Sequence, residues 1–249
     1  MTTCETREAM DERMFATVKQ MMESQAYREL AAAQMFGAGL RFVPSLRWLK
    51  FMTWHIREEM EHYEVVVKMY EQLVGESVEP IVNRRLAARP IEFAASWFEL
   101  AMAQFLYDRG GFWQLKEYET CAFLPYRVAI EKILKEEAGH QALGERIVVE
   151  LCRAGSHDSE KQRWFDKWLR LGLLSFGRPR SDGNRYAMAV GLKLHDSGDV
   201  MQLFLNDIKP AVKACGLRFP TPVEMQLEMP ASIDFSLNGV DETLAEGYA

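Results

Sequence analysis

The sequence predicts an all-α protein: a bundle of four long helices, followed by additional C-terminal helices and an irregular tail. Three observations carry this. The chain is rich in Ala, Leu, Met, Glu, Lys and Arg, the residues that lose least on entering a helix. Apolar residues recur at helical spacing over long stretches. Turn-forming residues are gathered at a few points instead of being spread along the chain.

The first helix is expected from Glu12 to Phe36, ended by Gly37 and Gly39. The second runs from Ser45 to Leu73 and stops before Gly75. Glu76 to Pro90 reads as a connection with one short helix and a basic group, Arg84, Arg85 and Arg89, which belongs to a solvated connection or meets ligand phosphates. The third helix is expected from Ile91 to Tyr118, with Gly110 and Gly111 loosening a turn. Pro125 marks a restart, and the fourth helix continues to Arg153. After a loop over Ala154–Glu160, a fifth helix spans Lys161–Leu174. Ser175–Asn184 is a break, and two shorter helices follow near Tyr186–Leu194 and Val200–Ala214. Residues 1–220 read as one helical domain and 221–249 as an irregular tail, because Pro, Gly and acidic residues there follow no helical period.

Bulk properties narrow the function classes. The 249 residues suffice for a sizeable core, and 48% hydrophobic with 27% charged residues is ordinary for a soluble globular protein. A net charge of -6 argues against nucleic acid or an anionic membrane as the main partner. The polar opening MTTCETREAMDERMF has no apolar signal region, and no stretch is apolar for long enough to span a membrane. A cytoplasmic location is the expectation. Cys4, Cys121, Cys152 and Cys215 are widely spaced, without zinc or iron–sulfur patterning, and read as buried thiols.

The chemistry is concentrated in two motifs. WHIREEMEHYEVV on the second helix contains Glu59 and His62, and ILKEEAGHQALG on the fourth contains Glu137 and His140. Residues at i and i+3 share a helix face. One Glu-x-x-His is weak evidence, and its ordinary reading is a solvated face. Two on separate long helices, each flanked by apolar residues on the same face, are stronger, because a buried carboxylate must be paired or metal-bound. With one further carboxylate from each of two other helices they make the ligand set of ferritin-like di-iron bundles. Glu58, Glu61 and Glu136 fall on other faces and are expected to be solvated. On the first helix Glu29 lies in the apolar stripe of Met22, Ala26, Ala32, Ala33 and Phe36, and Glu23 is less well placed. On the third, periodicity does not separate Glu99 from Asp108. Tyr63 and Tyr107 read as packing or hydrogen-bonding residues, with a radical-storing tyrosine as the alternative.

The stretches AYREL, REEMEH, SWFELAMAQFLYDRGG, PYRVAIEKILKEEAGHQALG, LLSFGRP and KACGLRFP resemble, in order, the phenylacetate-catabolism di-iron family, and within it the catalytic alpha subunits of phenylacetyl-CoA epoxidases. The resemblance covers residues 20–220. Carried over position by position, it implies metal ligands at Glu29, Glu59, His62, Asp108, Glu137 and His140, and so selects Asp108 over Glu99. It implies two iron ions, with an iron–manganese pair as the alternative, and O2 as co-substrate. It also implies monooxygenation, by epoxidation or hydroxylation, of a small aromatic or acyl substrate, with a CoA thioester as one form. The chain has neither a dinucleotide fingerprint nor a cysteine cluster, so electrons are expected from a separate reductase. A homo-oligomer or a second ferritin-like subunit is the expected assembly. The chain departs from the family at His55, where the alpha subunits have a lysine, and in a shorter tail. His55 is a partner of the ligands, an extra ligand or a group on the substrate path, or else a hydrogen-bonded core histidine. Two other classes remain beside the monooxygenase: a non-catalytic ferritin-like subunit, and an iron-handling or peroxide-detoxifying protein.

Overall fold

The computed structural model describes residues 3–155 and 157–239. The protein is all-α and ferritin-like, with eight α-helices among the described residues: α1 (Glu12–Gly39), α2 (Leu46–Val74), α3 (Glu79–Ala88), α4 (Trp97–Lys116), α5 (Leu124–Arg153), α6 (Lys161–Ser175), α7 (Asp182–Ala189) and α8 (Ser197–Ala214). None is long and apolar enough to cross a membrane. The chain divides into two compact units. One holds Met1–Leu100, Tyr118–Glu136 and Tyr186–Leu194, the other Ala101–Glu117, Glu137–Arg185 and His195–Ala249. Helices α4 and α5 run unbroken through the boundaries at Leu100 and Glu136.

In the first unit α1 packs along α2. Val18, Met22, Ala26, Ala33 and Phe36 of α1 are buried, as are Met52, Val66, Met69 and Tyr70 of α2. Each such apolar side chain removed from water contributes about 1.5–3 kcal/mol. Asp11 caps α1 by accepting from Met14 N at 2.7 Å, and Ser45 caps α2 by accepting from Trp48 N at 3.4 Å. Gly75 ends α2 in the left-handed conformation, φ 79°, which a side chain would disfavour. The expected stop at Gly37 does not occur: α1 continues through Gly39. The reason is packing. A Cβ on Gly39 would lie 2.5 Å from a Leu100 methyl, so this glycine lets the end of α1 approach the start of α4. Arg85 stacks on Tyr27, 4.4 Å from the ring centroid, and donates to Ser24 Oγ at 3.1 Å, which ties α3 to α1. Cys4 pairs with the stretch before α5 through Cys4 N to Ala122 O and Leu124 N to Cys4 O, both 2.9 Å.

Helix α4 begins at Trp97, not at Ile91. Ser96 Oγ accepts from Glu99 N at 3.1 Å, and Glu99 Oε2 accepts from Ala95 N at 2.8 Å. Ser96 and Glu99 have the spacing of a capping box, with the glutamate reaching one residue before the N-cap, and together they fix the first turn. Gly110 and Gly111 do not interrupt the helix.

In the second unit the later part of α5 lies unusually close to α4. A Cβ on Gly144 would be 3.2 Å from Phe105 N and 3.3 Å from its Cα. Arg109 of α4 ties the neighbouring helices together: it bonds Glu145 of α5 and, at 2.8 Å, Asp207 of α8, which also accepts from Trp113 at 2.8 Å. Residues 221–239 form turns without helix or strand and lie along α6 and α8, held by Arg170 Nε to Met225 O at 2.7 Å and Lys209 Nζ to Asp234 at 3.2 Å. Tail residues 240–249 lie outside the described residues. Helices α7 and α8 start earlier than the sequence suggests. The Ser181 hydroxyl accepts from Asn184 N at 3.2 Å, and the Asp196 carboxylate accepts from Gly198 N at 2.9 Å, so the caps lie inside the expected breaks.

Candidate metal centre

In the first unit α2 presents His55, Glu59 and His62 on one face, and α1 presents Glu29; all four are buried. One ligand atom each of Glu29, Glu59 and His62 lies within 4.8 Å of the others. The two faces of the His62 ring have different tasks. Nε2 is 2.9 Å from Glu136 Oε2, a hydrogen bond. Nδ1 is 3.7 Å from Glu29 Oε2, too far for one. With its proton on Nε2, the imidazole turns the lone pair of Nδ1 toward the carboxylates. His55 Nε2 is 2.9 Å from Glu59 Oε1, and its ring stacks on Phe36 with centroids 4.5 Å apart and on Phe51 at 5.7 Å. His55 thus holds one oxygen of a candidate ligand.

In the second unit α5 carries Glu137 and His140 and α4 carries Asp108, again all buried. His140 Nδ1 is 3.8 Å from Glu137 Oε2. The close approach at Gly144, one turn beyond His140, brings α5 against Gln104 and Phe105, one turn before Asp108. Burial pushes Asp108 well above the usual carboxylate range; Glu137 adds to this, while His140, Gln104 and Arg109 oppose it.

These groups fit metal ions. A first-row divalent ion holding nitrogen and carboxylate oxygen at about 2.1 Å each keeps those atoms about 3–4 Å apart. The separations of 3.7 Å in one unit and 3.8 Å in the other fall in that range and outside the hydrogen-bond range. Carboxylates with imidazoles form a donor set for intermediate and hard divalent metals. A cation bound beside Asp108 would oppose the burial that pushes this carboxyl up and invert its preference for the proton.

The structure corrects two sequence expectations. Glu136 is not solvated: its side chain is 22% exposed and bonded to His62. Glu58 is buried as well. Both lie immediately before a candidate ligand, in the pairs Glu58–Glu59 and Glu136–Glu137, and that repetition is the signal the sequence holds for them. Gln25 has no such signal. Tyr107 packs edge-on against Trp168, centroids 5.6 Å apart, and Tyr63 is buried. All four cysteines are buried thiols.

The family model described as "Phenylacetic acid catabolic protein" matches residues 1–230. No curated protein matches the chain.

Proposed function

The chain belongs to the phenylacetic acid catabolic protein family, and from that membership we propose that it is an O2-dependent di-iron monooxygenase. It would epoxidise or hydroxylate an aromatic or acyl substrate, of which a CoA thioester is one form. Glu29, Glu59, His62, Asp108, Glu137 and His140 hold the two ions in this reading. The observation that carries it is the matched pair of buried Nδ1-to-carboxylate separations, 3.7 Å for His62 with Glu29 and 3.8 Å for His140 with Glu137.

When bound, the two ions supply the reduction of O2: one oxygen atom enters the substrate, and the other leaves as water with two protons and two electrons. A separate reductase delivers the electrons, and the protein works beside a second ferritin-like subunit or a second copy of itself. The chain's own residues do the rest. Four carboxylates offset the charge of two ferrous ions, and two imidazoles complete the donor set without adding charge. Glu136 accepts from His62 Nε2 and so directs Nδ1 inward. His55 restrains Glu59 Oε1, while Phe36 and Phe51 wall that side against water.

The test is metal analysis of the full chain from iron-supplemented cells, alongside a His62→Ala/His140→Ala double variant. About two irons per chain, lost in the variant while helix content is kept, is the expected result. Substrate-dependent O2 consumption with a chemical reductant should follow. Absence of bound transition metal, under conditions that load a di-iron control, would overturn the reading.

A further inference from the structure

Gln25 stands on α1 one turn before Glu29 and is 3% exposed. Its amide nitrogen donates to Glu29 Oε1. Its amide oxygen accepts from Arg28 Nη2 and, in a longer contact of 3.4 Å, from the Tyr126 hydroxyl. The orientation of this amide follows from its partners. A guanidinium has only donors, so the amide oxygen must face Arg28, and the NH2 group is left for the carboxylate. The two oxygens of Glu29 are thereby made unequal. Oε1 is held by Gln25, and Oε2 is the oxygen 3.7 Å from His62 Nδ1.

We propose that Gln25 is a positioning residue that keeps Glu29 a one-oxygen ligand, with Arg28 and Tyr126 fixing the direction of its amide. This rests on the reading of Glu29 as a metal ligand. A carboxylate is equally able to bind a metal through one oxygen or two, and nothing in its own structure selects between them. A buried N–H bond to Oε1 favours the first, because it takes one lone pair of that oxygen and fixes the turn of the carboxylate, leaving Oε2 as the oxygen that faces His62 Nδ1. With a metal bound, a one-oxygen Glu29 would leave a position open for O2 or a substrate oxygen, which a catalytic centre needs and a storage site does not. Packing alone does not require an amide at this place, since a methionine fills a similar volume.

The experiment is an anaerobic Fe2+ titration of the full chain and of Gln25→Met, Arg28→Met and Tyr126→Phe, read by chelator competition and by near-infrared circular dichroism of the bound ferrous ions. In Gln25→Met, one of the two ions should bind about 10–100-fold more weakly, as when an outer-shell partner is lost. The ferrous dichroism bands should change while far-ultraviolet helix content does not. Arg28→Met should show a smaller effect of the same kind, and Tyr126→Phe the smallest. If wild type binds two ions and Gln25→Met matches it in affinity and spectrum, the positioning role is wrong and the metal centre stands. The role is equally refuted if only the melting temperature of the metal-free protein moves. If wild type binds no iron, both the centre and this role fall.

Discussion

Helix α5 holds two glycines whose replacement by alanine should have different effects, and the difference measures how closely α5 meets α4. Gly139 is exposed, with nothing within 4 Å of a Cβ built there. Gly139→Ala should therefore gain the intrinsic helix preference alone, about 1 kcal/mol. Gly144 is buried, and its Cβ would stand 3.2 Å from Gln104 Cγ, 3.2 Å from Phe105 N and 3.3 Å from Phe105 Cα. A side-chain tip swings aside cheaply; a backbone nitrogen within a helix does not. Overpacking of this kind costs about 1–3 kcal/mol. Set against the same gain of about 1 kcal/mol, Gly144→Ala should be neutral to about 2 kcal/mol less stable than wild type. The two variants share all effects of glycine on the unfolded chain, so their difference, about 1–3 kcal/mol, isolates the interhelix contact. The assay is urea unfolding of the metal-free protein, followed by far-ultraviolet circular dichroism, with slopes compared to establish that only stability changed. In thermal unfolding each kcal/mol corresponds to about 2–4 °C at this chain length. Equal shifts for the two variants would refute the close approach, and with it the account of how Asp108 is set beside His140.

Three further outcomes are expected. Glu136→Gln removes the charged acceptor of His62 Nε2 and should weaken iron binding about 10–100-fold without loss of helix, measured by chelator competition. Glu99→Ala should lower stability by about 1 kcal/mol through the lost bond to Ala95 N yet keep its metal; metal loss there, with retention in Asp108→Ala, would reverse the assignment of these two carboxylates. In the metal-free protein, burial raises Asp108, so the folded state holds this proton where the unfolded chain has released it. Its contribution to stability is then full below the unfolded carboxylate range and is lost as pH rises through the folded value. Asp108→Asn should abolish that fall in a pH series of unfolding midpoints, and an unchanged fall would show that another group causes it.

Most of the helical framework could be read in the sequence because α1, α2 and α5 carry apolar residues at helical spacing and α4 is a long apolar run, buried over Phe98–Leu106. Two boundaries show where that reading stops. Gly39 looks like a stop, but whether a glycine breaks a helix or admits a neighbour depends on what lies opposite, here Leu100, and a single sequence carries no distances. The start of α4 was legible: Ser96 and Glu99 have capping-box spacing, and the apolar residues Ile91 and Phe93 masked it.

The ligand candidates were legible because a lone charge in an apolar stripe violates the pattern. Their supporting residues were not, and the reason is geometric. Periodicity assigns each helix one buried face, and a residue adjacent to a ligand points about 100° away from it. That direction is solvent only when a helix is covered on one side. Glu58 and Glu136 are both next to a candidate ligand glutamate, and both are withdrawn from solvent, so α2 and α5 are covered over a wider arc than one stripe. The consecutive pair Glu136–Glu137 then acquires two tasks. Glu136 orients His62 through Nε2, and Glu137 stands 3.8 Å from His140 Nδ1. Gln25 marks the limit of this kind of reading, since a neutral amide in an apolar stripe breaks no charge rule. Its role emerges only when the donors of Arg28 and the acceptor of Glu29 are seen to leave it a single orientation.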